Sequence, residues 1–112
     1  MALRNRPGIQ GASPLLEIGD LRVDLETRIV TRGGERVHLT PNEFKLLVAL
    51  MRHPGKVLTH NQLLKEVWGA ACLQQVHSLR VCMNQLRHKL EPDPTRPKHL
   101  QTELGVGYRL CD

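Results

Sequence analysis

The sequence predicts an α+β domain: a small antiparallel sheet, then three helices, then a closing β-hairpin. Three observations predict it. Residues 16–39 alternate apolar and charged side chains between glycine turns; two Thr-x-x-Glu/Gln boxes open consecutive helical repeats; residues 99–110 form two short strand-like runs around a glycine-bearing turn. A chain of 112 residues suits one domain with its own core. With 40% apolar and 24% charged residues, neither a disordered chain nor a fibrous protein fits.

Residues 1–14 hold two prolines, two glycines, two arginines and no acid, and read as an interdomain linker or a cloning remnant ahead of a domain at 15–112. Apolar positions then recur at Leu16, Ile18, Leu21, Val23, Leu25, Ile29, Val30, Val37 and Leu39. Val23 and Leu25 alternate with Arg22, Asp24 and Glu26, the period of a strand with one wet face. Gly19-Asp20 and Gly33-Gly34 punctuate these runs, the latter as a two-residue hairpin signal, so three or four antiparallel strands are expected.

Thr40-Pro41-Asn42-Glu43 places an N-cap hydroxyl, a first-turn proline and a capping-box glutamate in order. Phe44, Leu47, Val48 and Met51 supply the apolar stripe, and Pro54-Gly55 stops the helix. Thr59-His60-Asn61-Gln62 repeats the box; Leu63, Leu64, Val67 and Trp68 form the buried side, and Gly69 the stop. A third helix is expected over 73–90, bounded by Pro92 and Pro94. Gln101-Thr102-Glu103 and Tyr108-Arg109-Leu110 flank the turn of the final hairpin.

Several function classes are excluded early. The longest uncharged apolar run, residues 46–51, is far short of the roughly 20 a membrane span requires. No signal-peptide pattern occurs, so a cytoplasmic protein away from membranes is expected. Three widely spaced cysteines, Cys72, Cys82 and Cys111, suggest reduced thiols and not a disulfide framework. Phe44, Trp68 and Tyr108 are the whole aromatic inventory, too few for a base-stacking RNA or single-strand binder. Neither CxxC nor HExxH spacing appears, and no glycine-rich phosphate loop or paired carboxylates; His77 and Cys82 fall on different sides of the third helix, Cys82 on its core side. His53 and His60 flank helix ends. No enzyme activity, cofactor or metal is expected.

The third helix carries the functional signal. Val76, Leu79, Cys82, Met83, Leu86 and Leu90 gather on one side, opposite a polar stripe of His77, Arg80, Asn84, Arg87 and His88 with Val81 and Gln85 beside it. No acid occurs in residues 67–90, whereas solvated helix faces usually mix signs. The net charge, 16 Lys+Arg against 11 Asp+Glu, is +5 and also favours an anionic partner. Arg80 or Arg87 can grip guanine O6/N7 and Asn84 adenine N6/N7. A helix pair before this helix and a hairpin after it make a helix-turn-helix with a β-wing, an arrangement that presents such a helix to the DNA major groove. The competing readings are an ordinary basic solvent face and a protein-docking module that lays this helix on an acidic partner.

Residues 16–110 resemble the winged-helix effector domain of the OmpR/PhoB family of two-component response regulators. The resemblance is carried by Leu39-Thr40-Pro41-Asn42-Glu43-Phe44-Lys45-Leu46-Leu47, Gly55-Lys56-Val57-Leu58-Thr59, Leu63-Leu64-Lys65-Glu66-Val67-Trp68-Gly69, Leu86-Arg87-His88-Lys89-Leu90-Glu91 and Gly105-Val106-Gly107-Tyr108-Arg109-Leu110. Leu79-Arg80-Val81, Met83 and Glu91 with Asp93-Pro94 resemble in particular the branch that regulates potassium-transport operons.

This resemblance implies a four-stranded N-terminal sheet, a recognition helix over 73–90 in the major groove and a wing over 99–110 at the minor groove of promoter DNA. It places His77, Arg80, Val81, Asn84 and Arg87 toward bases. Thr40, Lys56, Thr59, Trp68, His88, Thr102 and Arg109 fall at phosphates or on the wing. The loop Ala70, Ala71, Cys72, Leu73 and Gln74 corresponds to the segment that meets RNA polymerase. Head-to-tail pairing on direct repeats is implied too, as is control by a sensor kinase through a receiver domain that this chain lacks. Some relatives carry a wing arginine where this chain has Leu104, which removes the expectation of an arginine in the minor groove from that position.

Overall fold

A computed structural model describes residues 15–69 and 75–111. Four short strands, β1 (Leu15–Ile18), β2 (Leu21–Asp24), β3 (Ile29–Arg32) and β4 (Glu35–Val37), form an antiparallel sheet in sequence order. The β3–β4 turn closes on the Arg32↔Glu35 pair, with Gly33 and Gly34 both at positive φ (58° and 86°). Two adjacent left-handed residues match the twist of the flanking strands, which is why this turn needs its glycines.

The alternation at Val23 and Leu25 does not continue as strand. β2 stops at Asp24, whose Oδ1 accepts the N–H groups of Glu26 (2.9 Å) and Thr27 (3.2 Å) and so turns the chain. Arg28 completes the turn at φ 61°, a conformation that costs a non-glycine residue about 1 kcal/mol. Its guanidinium lies 4.3 Å over the Phe44 ring, docking the turn on the first helix.

That helix, α1 (Pro41–Met51), starts at the expected capping box: the Thr40 hydroxyl accepts from Glu43 N–H (3.2 Å), and Glu43 Oε1 accepts from Thr40 N–H (3.0 Å). The sequence suggests one apolar stripe, but Leu46, Ala49 and Leu50 are buried as well. The cause is position, because α1 packs against β1, both other helices and the C-terminal sheet. The helix α2 (His60–Val67) has the second capping box, Thr59 with Gln62. Trp68 packs half-buried against the core as expected, from the C-cap position just past the last helical residue.

The third helix, α3 (Val76–Leu90), begins at Val76 and not at 73. Gln75 holds the N-cap position with no side-chain bond to the helix backbone, so the start lacks the marker that made α1 and α2 legible. Residues 70–74, including the expected polymerase loop, lie outside the described residues. Among the described residues, no helix is long and apolar enough to cross a membrane.

The final hairpin, β6 (Leu100–Glu103) and β7 (Gly107–Leu110), is joined by a strand the sequence did not signal, β5 (Leu58–Thr59), giving a three-stranded sheet in the order β5-β7-β6. Two residues are too short to show periodicity. Their pairing, Leu58↔Tyr108 and Thr59↔Gly107, is so close that a Cβ on Gly107 would stand 1.8 Å from the Leu58 carbonyl oxygen. The core gathers Leu47, Leu50, Leu63, Leu64, Leu79 and Leu86 between the helices and seats the wing through Leu100 and Leu110.

Candidate nucleic-acid interface

The apolar and polar sides of α3 separate as its 3.6-residue period demands. Leu79, Cys82, Met83, Leu86 and Leu90 are buried and Val76 is half-buried. Burial pushes the Cys82 thiol up to about 11, helped by the nearby Glu43 carboxylate and opposed by Lys89. Cys82 is therefore a core thiol in its protonated form.

On the other side His77, Arg80, Asn84, Gln85 and His88 are exposed, and Val81 is 40% exposed among them. Among the described residues, Arg80, His77, Asn84 and His88 have no hydrogen-bond or ion-pair partner. Donors and acceptors that the protein does not use, on a surface with no carboxylate, can bond base edges or phosphates without first breaking an internal contact.

Arg87 differs from its neighbours. It is half-buried, its Nε donates to the Leu100 carbonyl (2.9 Å) and its Nη2 to the Thr102 hydroxyl oxygen (2.6 Å). Its guanidinium also stands 5.8 Å from the Tyr108 ring centre. Burial holds its pKa below the usual arginine value. One edge of the guanidinium therefore faces the wing, while Nη1 has no partner among the described residues.

The wing is tied to the start of α2 as well. His60 N–H donates to the Val106 carbonyl (3.1 Å), and the His60 ring meets Tyr108 edge-on at 5.6 Å. The structure thus brings Thr59, His60, Tyr108, Thr102 and Arg87 into one continuous patch. Arg109 pairs within the wing with Glu103. Leu104 at the wing tip is 90% exposed.

Thr40 is exposed at the opening of α1 and joins α3 indirectly: its capping partner Glu43, 1% exposed, also takes a 2.5 Å ion pair from Lys89 near the end of α3. Lys56 is exposed on the turn between α1 and β5. Trp68 lies at the far end of α2 from Thr59, so it does not join the patch.

Sequence reasoning gave no role to Glu91. This residue is 4% exposed, caps the end of α3, and accepts three backbone N–H bonds, from Lys98 (2.9 Å), His99 (2.9 Å) and Leu100 (2.7 Å). Its signals were its place in the resemblance and its position as the first acid after an acid-free stretch, neither of which specifies a contact. Arg32, reaching from β3 to the Leu90 carbonyl (2.7 Å), was likewise not foreseen.

Residues 34–110 match the family model described as "Transcriptional regulatory protein, C terminal". The chain belongs to this family. Over 110 residues, 98% of the chain, it is 50% identical to the KDP operon transcriptional regulatory protein KdpE of Escherichia coli (strain K12), of which it covers 49%. The chain spans about half the length of the curated relatives it matches. Among solved structures it is similar to the Klebsiella pneumoniae RstA DNA-binding domain in complex with the RstA box (TM-score 0.79, 31% identity, 87% of this chain and 96% of that one). It is also similar to response regulator DrrB, a Thermotoga maritima OmpR/PhoB homologue (TM-score 0.76, 33% identity, 88% of this chain and 45% of that one). Sheet, three helices and C-terminal hairpin are those of the OmpR/PhoB-type response-regulator DNA-binding domain.

Proposed function

We propose that this domain binds double-stranded promoter DNA sequence-specifically, with α3 in the major groove and the β6–β7 wing at the adjacent minor groove. The observation that carries the reading is the exposed, acid-free face of α3, whose His77, Arg80, Asn84 and His88 have no partner among the described residues. Arg80 pairs with guanine, Asn84 with adenine, and Val81 meets a thymine methyl, the apolar group a major groove offers. His77 stands at the N-terminal end of the same face. Arg87 contributes Nη1, which has no partner among the described residues.

Thr40, Lys56, Thr59, His88, Thr102 and Arg109 set register on phosphates, while Trp68, at the far end of α2 and packed on the core, is given no phosphate. The hydroxyls of Thr40 and Thr59 accept helix-capping bonds and keep their protons for donation. The similarity to KdpE favours a potassium-transport operon as the target. In the whole regulator, residues 70–74 meet RNA polymerase, two copies bind head-to-tail on direct repeats, and a sensor kinase acts through a receiver domain.

Titration of the chain against the promoter of a potassium-transport operon and against a scrambled duplex, at two salt concentrations, tests this. Tighter promoter binding that weakens with salt but stays selective is expected. Equal weak binding to both moves the target elsewhere. No binding even at low salt overturns the DNA reading in favour of an acidic protein partner.

A further inference from the structure

We propose that Arg87 is a positioning residue that latches the wing to the recognition helix, so that helix and wing meet DNA as one rigid body. The proposal rests on the DNA-binding reading above and assigns Arg87 a role beyond its place on the α3 face.

Arg87 in the last turn of α3 and Glu91, the residue that caps it, both grip β6. Glu91 gathers three consecutive backbone N–H groups at the strand's entrance, Lys98 to Leu100, and so fixes where the strand begins. Arg87 bonds the Leu100 carbonyl and, two residues farther along, the Thr102 hydroxyl. β6 is also paired with β7 along its length, so the hairpin moves as a unit; a second direct attachment to α3, two residues beyond the Glu91 one, sets the angle of that unit to the helix. Both Arg87 bonds leave a rigid planar fork, which carries direction that a flexible ammonium cannot. Tyr108 on β7 lies against the same guanidinium, so the second strand is held by the same group.

The Thr102 hydroxyl accepts from Arg87, which leaves its own proton directed away from that bond. Arg87 thereby orients the Thr102 hydroxyl, which the proposed function assigns to a phosphate. An arginine serving bases alone would extend from the helix as Arg80 does, exposed and without a partner among the described residues.

The test uses the 112-residue chain with the duplex it selects most strongly from a random-sequence pool. Wild type, Arg87→Met, Arg87→Lys, Thr102→Val and Arg87→Met with Thr102→Val are compared by affinity, by hydroxyl-radical footprint and by amide exchange of β6 in the free chain. Thr102→Val preserves shape and serves if Arg87→Met does not fold.

In the expected result, Arg87→Met speeds β6 exchange, erases the minor-groove protection flanking the half-site, and lowers affinity by about tenfold to a hundredfold. Arg87→Lys does not rescue it, and Thr102→Val weakens wild type yet changes nothing further in Arg87→Met. A changed preference at one base pair with the flanking protection intact makes Arg87 a base reader alone and overturns the latch. Additive losses with the footprint intact make it a phosphate contact and overturn it equally. Failure of wild type to select any duplex overturns the DNA reading itself, a distinct outcome.

Discussion

Replacing Gly107 by alanine is the sharpest single perturbation the fold offers. The added Cβ would lie 1.8 Å from the Leu58 carbonyl oxygen, 2.7 Å from its carbon and 2.8 Å from Thr59 Cα, all of them backbone atoms with no rotamer to yield. An ordinary contact needs about 3.4 Å, so β5 and β7 must part by roughly 1.5 Å, enough to break the ladder between them. The loss includes the overpacking strain and the Leu58↔Tyr108 and Thr59↔Gly107 pairing, about 3 kcal/mol together. For a domain of this size that lowers Tm by roughly 10–20 °C. The residue after β5 is His60, whose N–H holds Val106, so the wing should also lose its register with α2 and DNA affinity should fall well below the new Tm. Thermal unfolding followed by circular dichroism, with DNA titration on the same sample, decides it. A Tm within about 3 °C of wild type and unchanged affinity would refute the reasoning.

Lys89→Met should cost about 2 kcal/mol in urea unfolding, less than for a fully buried pair because the Lys89 side chain is 35% exposed; adding Glu43→Gln should recover part of it by removing the orphaned charge. Burial raises Cys82 above its ordinary 9.0, so the stability contributed by the protonated thiol is complete below pH 9 and is lost as pH climbs toward about 11; Cys82→Ala should flatten that part of the stability–pH curve relative to wild type. Thr59→Ala should cost about 1 kcal/mol by removing the cap that Gln62 N–H uses, with unchanged stability in urea unfolding counting against it. Replacing thymine by uracil in the selected duplex should weaken wild type by about fourfold at the methyl under Val81, and Val81→Ala should not feel the change.

Most of the architecture was legible because local chemistry and tertiary packing agree. The two capping boxes mark helix starts that the structure keeps, and Gly33-Gly34 marks the turn it predicts. The α3 start was misplaced where that local chemistry is missing, at an N-cap Gln75 with no capping bond. β5 was invisible because its two residues become a strand only through a partner about 50 positions away, and sequence patterns report neighbours and not such distant pairings. On the α3 face the exposed set was legible from helical period alone. That Arg87 turns toward Leu100 and Thr102, and that Glu91 holds the strand entrance, depends on where the wing folds back, and periodicity does not encode that.

The central claim, that α3 reads bases, is tested most directly by the base-preference profile of the chain beside that of Asn84→Ala and of Arg80→Ala. The account predicts that each substitution relaxes preference at one or two adjacent base pairs by about 1–3 kcal/mol and leaves the others intact. A loss spread evenly over every sequence, with the profile unchanged, would contradict it.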